Sequence, residues 1–152
     1  MLPKNHIIIG LILSLLIYLI FPQIGILAAG VIFLSSFLID VDHYLYYAIK
    51  YHDWNLKNAY NWFIHKSKIW NKLTPHQRKD YERAVIIFHG AECIFILMLL
   101  VILNKIFLFI LIGFIIHLLL DFIDILNRNE PIYIKSSQIL VMHRNKNKKK
   151  RL

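Results

Sequence analysis

The sequence predicts an all-α fold: an integral membrane four-helix bundle made of two hairpins, with a cytoplasmic amphipathic helical insertion between helices 2 and 3. Three observations carry this expectation. Of the 152 residues, 58% are hydrophobic and the mean hydropathy is +0.54, more apolar surface than one soluble domain of this length needs. The apolar residues gather in four runs, at 7–21, 24–39, 85–103 and 106–120. The 18 Lys and Arg residues avoid those runs: eight fall from His43 through Arg83, and eight follow Leu126.

A bilayer core takes about 20 helical residues, roughly 17–25. The first two runs reach that length only by including polar residues at one end, such as His6 or Asp40. Phe21-Pro22-Gln23 and Asn104-Lys105 read as tight turns, which makes helices 1–2 and 3–4 hairpins. Lys4 ahead of the first run also has the layout of a signal peptide, with Leu27-Ala28-Ala29 as a weak cleavage site. The immediate second apolar run favours the hairpin. Positive charge stays on the cytoplasmic side, so an inner-membrane protein with both termini and the central segment in the cytoplasm is expected. The single Cys93 rules out a disulfide framework within the chain.

The division expected is a membrane domain at 1–126, containing the insertion at 44–83, and a basic cytoplasmic tail at 127–152. Within the insertion, Leu56, Tyr60, Phe63 and Trp70 recur near helical spacing with lysines between them. This reads as an amphipathic helix, capped by Asp53 or Asn55, lying at the membrane interface or packed on other cytoplasmic elements. Thr74-Pro75-His76-Gln77 is a capping box with Pro at the first helical position, and a helix starting there is expected to run on into the third span. The tail segment RNKNKKKR, 144–151, has six basic residues in eight and suits anionic lipid headgroups as partners, or simply solubilises the chain. No motif points to nucleic acid.

Five of the nine acidic residues, Asp40, Asp42, Glu92, Asp121 and Asp124, lie in or at the ends of the apolar runs, together with His6, His43, His89 and His117. An ionisable group at mid-membrane costs at least about 2.5–3.5 kcal/mol, so a set this large needs a common explanation. Residues three, four or seven apart share a helix face. His117, Asp121 and Asp124 therefore line one stripe of the fourth helix, His89 and Glu92 one face of the third, and Asp40 and His43 one face of the second. Asp42 points elsewhere on an unbroken helix, which calls for a bend or a capping role. In the expected topology these groups all come to one level, just below the cytoplasmic interface. A mixed His and carboxylate set at one point is what Zn²⁺, Mn²⁺ or Fe²⁺ accepts. His6, Asp40, Asp42, His43, His89, Glu92, His117 and Asp121 are the expected ligands. Eight are too many for one tetrahedral ion, so two or three ions, most simply zinc, are expected. Asp124 sits closest to the headgroup region. His52, His65, His76 and His143 lie in polar segments and read as surface residues.

The motifs NHIIIG (5–10), DVDH (40–43), FHGAE (88–92) and HLLLD (117–121), in that order, resemble the YdjM-type membrane-bound metal-dependent hydrolases, also called LexA-binding, inner-membrane-associated hydrolases. The likeness spans residues 5 to about 126. Two positions depart from the family pattern: Ile39 stands where Pro often precedes the Asp-x-Asp-His, and Glu92 stands where a second His is common. That family is in turn similar to zinc-dependent phospholipase C, in which a His-x-x-x-Asp on one helix binds metal. The resemblance implies phosphoester hydrolysis. On that reading Asp42 or Asp124 is the general base, and a lipid phosphoester is the natural substrate because its headgroup lies at the depth of the site. A metal or proton transporter and a non-catalytic membrane protein with a structural metal are the alternatives. Transport needs polar residues through the full depth, and the outer halves of the spans offer only Ser14, Tyr18, Ser35 and Ser36.

Overall fold

The computed structural model describes residues 3–146 and 148, without the side chains of Pro3, Pro75 and Lys135. The described chain is helical, with no strand: α1 (Pro3–Ile20), α2 (Ile26–Leu38), α3 (Val41–Tyr51), α4 (Leu56–Lys72), α5 (Pro75–Arg78), α6 (Ala91–Val101), α7 (Ile106–Asn127), α8 (Tyr133–Ser136) and α9 (Gln138–Asn145). A 3-10 turn over Pro22–Ile24 joins α1 to α2, and Gly25 leaves it at φ 79°, ψ 157°, a backbone region open essentially to glycine alone.

α2 packs along both α1 and α7, and α6 packs on α7. Ile32, Ile116 and Leu120 form the centre, ringed by partly buried Ile9, Leu13, Ile17, Phe109 and Ile112. Small residues set the spacing. A methyl group added at Gly10 would run into Ser36, and one at Gly113 into Ser35 and the Ile32 carbonyl. Helices meeting in lipid commonly approach over such residues. The hydroxyls of Ser14, Ser35 and Ser36 turn back to carbonyls of their own helices, at Leu11 (2.9 Å), Val31 (2.6 Å) and Phe33 (2.7 Å).

Two helical stretches are long and apolar enough to cross a membrane: Ile26–Tyr51, 26 residues counting α2 and α3 across the turn between them, and α7, 22 residues. α1 and α6 are shorter apolar helices. The third helix departs most from expectation. The capping box at Thr74 forms, but α5 ends at Arg78 and residues 79–90 are not helical. Side chains from elsewhere bond part of that segment's backbone. Asn145 brackets Arg83 through its N–H (3.0 Å) and C=O (2.8 Å), Gln138 accepts from Ile86 N–H (2.9 Å) and donates to the His89 carbonyl (2.8 Å), and Asp42 accepts from Phe88 N–H (2.9 Å). These five bonds take the place of helical partners over residues 83–89. α6 starts at Ala91, with extended Gly90 as N-cap, and its 11 residues span about 16 Å.

Much of the expected tail has regular structure. Residues 127–145 are folded, and α9 lays Gln138 and Val141 into the interior. Of the basic stretch 144–151, residues 147 and 149–151 lie outside the described residues.

In the insertion, Asn55 is the N-cap of α4 and accepts from Lys57 N–H (3.0 Å) and Asn58 N–H (3.2 Å). Asp53 braces this turn by accepting from Asn55 N–H (2.9 Å), Asn58 Nδ2 (2.9 Å) and Tyr47 Oη (2.8 Å). Phe63 and Trp70 turn half inward, while Leu56 and Tyr60 stay exposed. Glu130, just past α7, ties the insertion down. It accepts from Trp70 Nε1 (2.6 Å), Arg78 Nη1 (2.6 Å) and Arg83 Nη2 (2.6 Å).

Candidate metal centre

The break between α2 and α3 shapes the site. Asp40, Asp42 and His43 N–H groups bond three residues back, to Phe37, Ile39 and Asp40, in place of the α-helical four. Asp40 N–H thus leaves the Ser36 carbonyl without its usual helical donor. His117 fills that place from α7, its Nδ1 lying 2.8 Å from the Ser36 oxygen. A carbonyl only accepts, so Nδ1 carries the proton and a neutral His117 holds its lone pair on Nε2. The same break brings Asp42 inward, where its Oδ2 meets both Phe88 N–H and His89 Nδ1, the latter at 3.1 Å. That contact in turn aims Nε2 of His89 at His117.

The two Nε2 atoms point at each other, 3.1 Å apart. Carboxylates frame them. Asp40 Oδ1 lies 3.4 Å from His89 Nε2, 3.6 Å from His117 Nε2 and 3.5 Å from His43 Nε2. Asp121 Oδ2 lies 3.5 Å from His89 Nε2 and 3.4 Å from His117 Nε2, and Asp121 Oδ1 lies 3.4 Å from His6 Nε2. The His6 ring stacks on His117 with centroids 4.0 Å apart.

These separations are informative. Hydrogen bonds between such atoms run to about 3.2 Å, and six of the seven distances exceed that. Ligands about 2.0–2.1 Å from one tetrahedral ion stand about 3.3–3.4 Å from one another. A proton shared between the two Nε2 atoms would satisfy that pair alone. It would leave both ring nitrogens of fully buried His6, and Asp42 Oδ1, without a hydrogen bond among the described residues. The donor set therefore fits cations. Three groupings bring ligand atoms within 4.8 Å of one another: His6, Asp40 and His117; Asp40, His43 and His89; and His89, His117 and Asp121. Asp40, His89 and His117 each belong to two groupings, an arrangement suited to ions that share ligands.

Of the residues singled out in the sequence, His6, Asp40, His43, His89, His117 and Asp121 come together, and Asp42 stands behind His89 as the group that orients its ring. Glu92 does not join them. Its carboxylate accepts from Ser137 Oγ (2.5 Å) and from the N–H groups of Gln138 (3.2 Å) and Ile139 (3.2 Å), so it caps α9. Asp124, one turn beyond Asp121, pairs with Arg128 (3.0 Å) and belongs to none of the three groupings. Neither Gln138 nor the Ser36 carbonyl is foreshadowed by any local pattern. The first sits in a stretch that reads as tail, and the second is a backbone atom freed by a helix break.

The cluster has a closed end and an open end. His6, His89 and His117 are fully buried, whereas the His43 side chain is 27% exposed and that of Asp40 20%. Access is from the His43 side, where the Phe63 ring of α4 stands edge-on at 5.2 Å.

No family model matches the sequence, and neither curated proteins nor solved structures give a match. The resemblance to YdjM-type hydrolases thus rests on the four short motifs.

Proposed function

We propose that the chain is a membrane-embedded, metal-dependent hydrolase of phosphoester substrates, working at the cytoplasmic face of the membrane with two or three divalent ions, most simply zinc. The observation that carries this reading is the facing pair of His89 and His117 Nε2 atoms framed by Asp40 and Asp121. The order of the four motifs, with its likeness to the YdjM-type family, points the same way.

The bilayer placement has an energetic basis. Eight large apolar side chains of α1, from Ile7 to Ile20, are exposed. At about 1 kcal/mol each for half-exposed side chains, water would cost roughly 8 kcal/mol on this helix alone, comparable with the whole net stability of a domain. Lipid removes that cost. In this topology α1, α2–α3, α6 and α7 enter the bilayer, with both termini cytoplasmic. α6 rises only part-way from the outer turn, and its N-terminal end brings His89 to the depth of Asp121, about 22 Å along α7 from Ile106. The charge of the basic stretch 144–151 favours anionic headgroups as partners.

Bound divalent ions supply Lewis acidity and lower the pKa of a water towards about 7. The chain's own residues do the rest. Ser36 and Asp42 hold His117 and His89 in one tautomer each. Asp40 at the open edge, its side chain 20% exposed, is positioned to accept a proton from an incoming water, the role expected from sequence for Asp42 or Asp124. Two dications against Asp40, Asp42 and Asp121 leave one positive charge, which favours an anionic substrate.

Transport is the weaker reading, because the serines of α1 and α2 spend their hydroxyls on their own helices. The test is hydrolysis of phospholipids and soluble phosphodiesters by purified protein, with metal restored after chelation. Metal-dependent turnover, lowered at least about 100-fold in Asp121→Asn, is the expected result, equivalent to about 2.7 kcal/mol of transition-state stabilisation. No metal-dependent release across the panel contradicts the reading.

A further inference from the structure

Beside the cluster, between α3, α4 and residues 82–86, lies a cavity of about 270 Å³. Lys50, Lys66 and Arg83 line it together with Trp62, Phe63 and Trp70. Phe63 is shared ground, for it walls the cavity and its ring meets His43 at the open edge of the cluster.

We infer that this cavity is a subsite for a phosphate-bearing anionic headgroup, held by Lys50 and Lys66 against the aromatic wall and delivered past Phe63 to His43. The inference rests on the hydrolase reading and adds the substrate class that the site selects. Two observations carry it. First, the cationic groups are arranged as a receptor. Lys66 pairs with no carboxylate among the described residues; its ammonium stands 5.4 Å from the centre of the Trp62 ring. Lys50 is held at the cavity by Tyr46 Oη (2.9 Å), and Arg83 is fixed over Trp70, 3.9 Å from the ring centre, by its bond to Glu130. Glu82 is the one carboxylate on the lining, so the cations exceed it. Second, Lys50 is close enough for its charge to bear on Lys66. Burial first, and the Lys50 charge second, hold the Lys66 ammonium below its ordinary pKa, a cost that a bound anion relieves. Aromatic faces beside a charged pair suit a headgroup carrying apolar chains better than a bare ion.

The test uses full-length, metal-loaded protein in zwitterionic nanodiscs, with binding read from tryptophan fluorescence. The probes are dihexanoyl phosphatidic acid, dihexanoyl phosphatidylglycerol, dihexanoyl phosphatidylcholine and inorganic phosphate. Saturable binding of the two anionic lipids is expected, weakened about tenfold or more by Lys66→Gln and by Lys50→Gln, retained in Lys66→Arg, with metal content unchanged in all three variants. Inorganic phosphate binding as tightly as the lipids, and lost in the same variants, keeps the anion site and assigns it to soluble phosphate esters. Equal affinity for phosphatidylcholine, or Gln variants that bind like the parent, overturns the subsite. Binding without hydrolysis overturns the hydrolase and leaves the subsite standing. Hydrolysis with KM unchanged in Lys66→Gln does the reverse.

Discussion

His89 and His117 present their Nε2 atoms to each other at 3.1 Å, and each ring is turned to do so by an acceptor on its far side, Asp42 for His89 and the Ser36 carbonyl for His117. Both acceptors come from the same place, the few residues around the break between α2 and α3. A helix that ran unbroken through Asp40 would keep the Ser36 carbonyl for itself and turn Asp42 away. The interruption is therefore what converts two helical histidines into an oriented pair.

Asp42→Asn tests the orienting role. The amide keeps one acceptor oxygen and the shape, so the fold survives, but the charge that makes His89 a stronger donor to metal is lost. Metal affinity is expected to fall about 10–100-fold, the usual consequence of removing a carboxylate behind a metal-binding histidine. Competition with a chromophoric chelator measures it. Unchanged affinity would mean that Asp42 only holds Phe88 N–H in place.

Helix packing makes a paired prediction. Gly113→Ala puts a methyl group against the Ile32 carbonyl and Ser35, where backbone has to move, and should destabilise by about 1–3 kcal/mol. Gly30→Ala meets nothing within 4 Å and should be neutral or stabilise by up to about 1 kcal/mol through helix propensity. Thermal unfolding in detergent separates the two.

Much of the helical layout was legible because apolar runs and turn residues are local signals. The hairpin at Pro22, the cap at Asn55 and the capping box at Thr74 all follow from a few adjacent residues. The six clustered side chains were legible for a different reason: ionisable residues in apolar runs are costly, so their presence marks a site before any geometry is known. Three things were not legible. Residues 79–90 carry an apolar stretch that reads as the start of a span, and the partners that hold it open, Gln138, Asn145 and Asp42, are distant in sequence. Glu92 has the i+3 spacing to face the same way as His89, but the helix begins only at Ala91, so the spacing rule does not reach His89. Glu130 has no pattern at all; its importance comes from three donors on α4, α5 and the 79–90 segment.

Glu130→Ala should be among the most destabilising single changes around α4, α5 and the 79–90 segment. It leaves the Arg78 and Arg83 guanidinium groups and Trp70 Nε1 without their shared acceptor, and both ion pairs are largely buried. A loss of about 3–5 kcal/mol is expected from breaking such a node on one side. Trp70 fluorescence during unfolding reports it directly, and a shift under about 1 kcal/mol would mean the node is dispensable.

Asp53 gives a pH dependence. The Asn55 N–H first, then the Asn58 amide and Tyr47 hydroxyl, hold its carboxyl below the ordinary carboxylate pKa. The stability it lends to the start of α4 is therefore fully present above the unfolded-state pKa and is lost as pH falls through the lowered folded value. Hydrogen exchange at Lys57 and Asn58 should accelerate, relative to the intrinsic rate, on acidification, and Asp53→Asn should flatten that dependence.

The central claim, that His6, Asp40, His43, His89, His117 and Asp121 hold metal, is tested most directly by elemental analysis of the purified protein after equilibration with a divalent metal and removal of the excess. The account predicts two to three equivalents of zinc, manganese or iron per chain, falling below one in the His89→Ala, His117→Ala double variant while Glu92→Gln and Asp124→Asn keep the parent's content. A parent protein that retains no metal, or a double variant that retains as much as the parent, would contradict it.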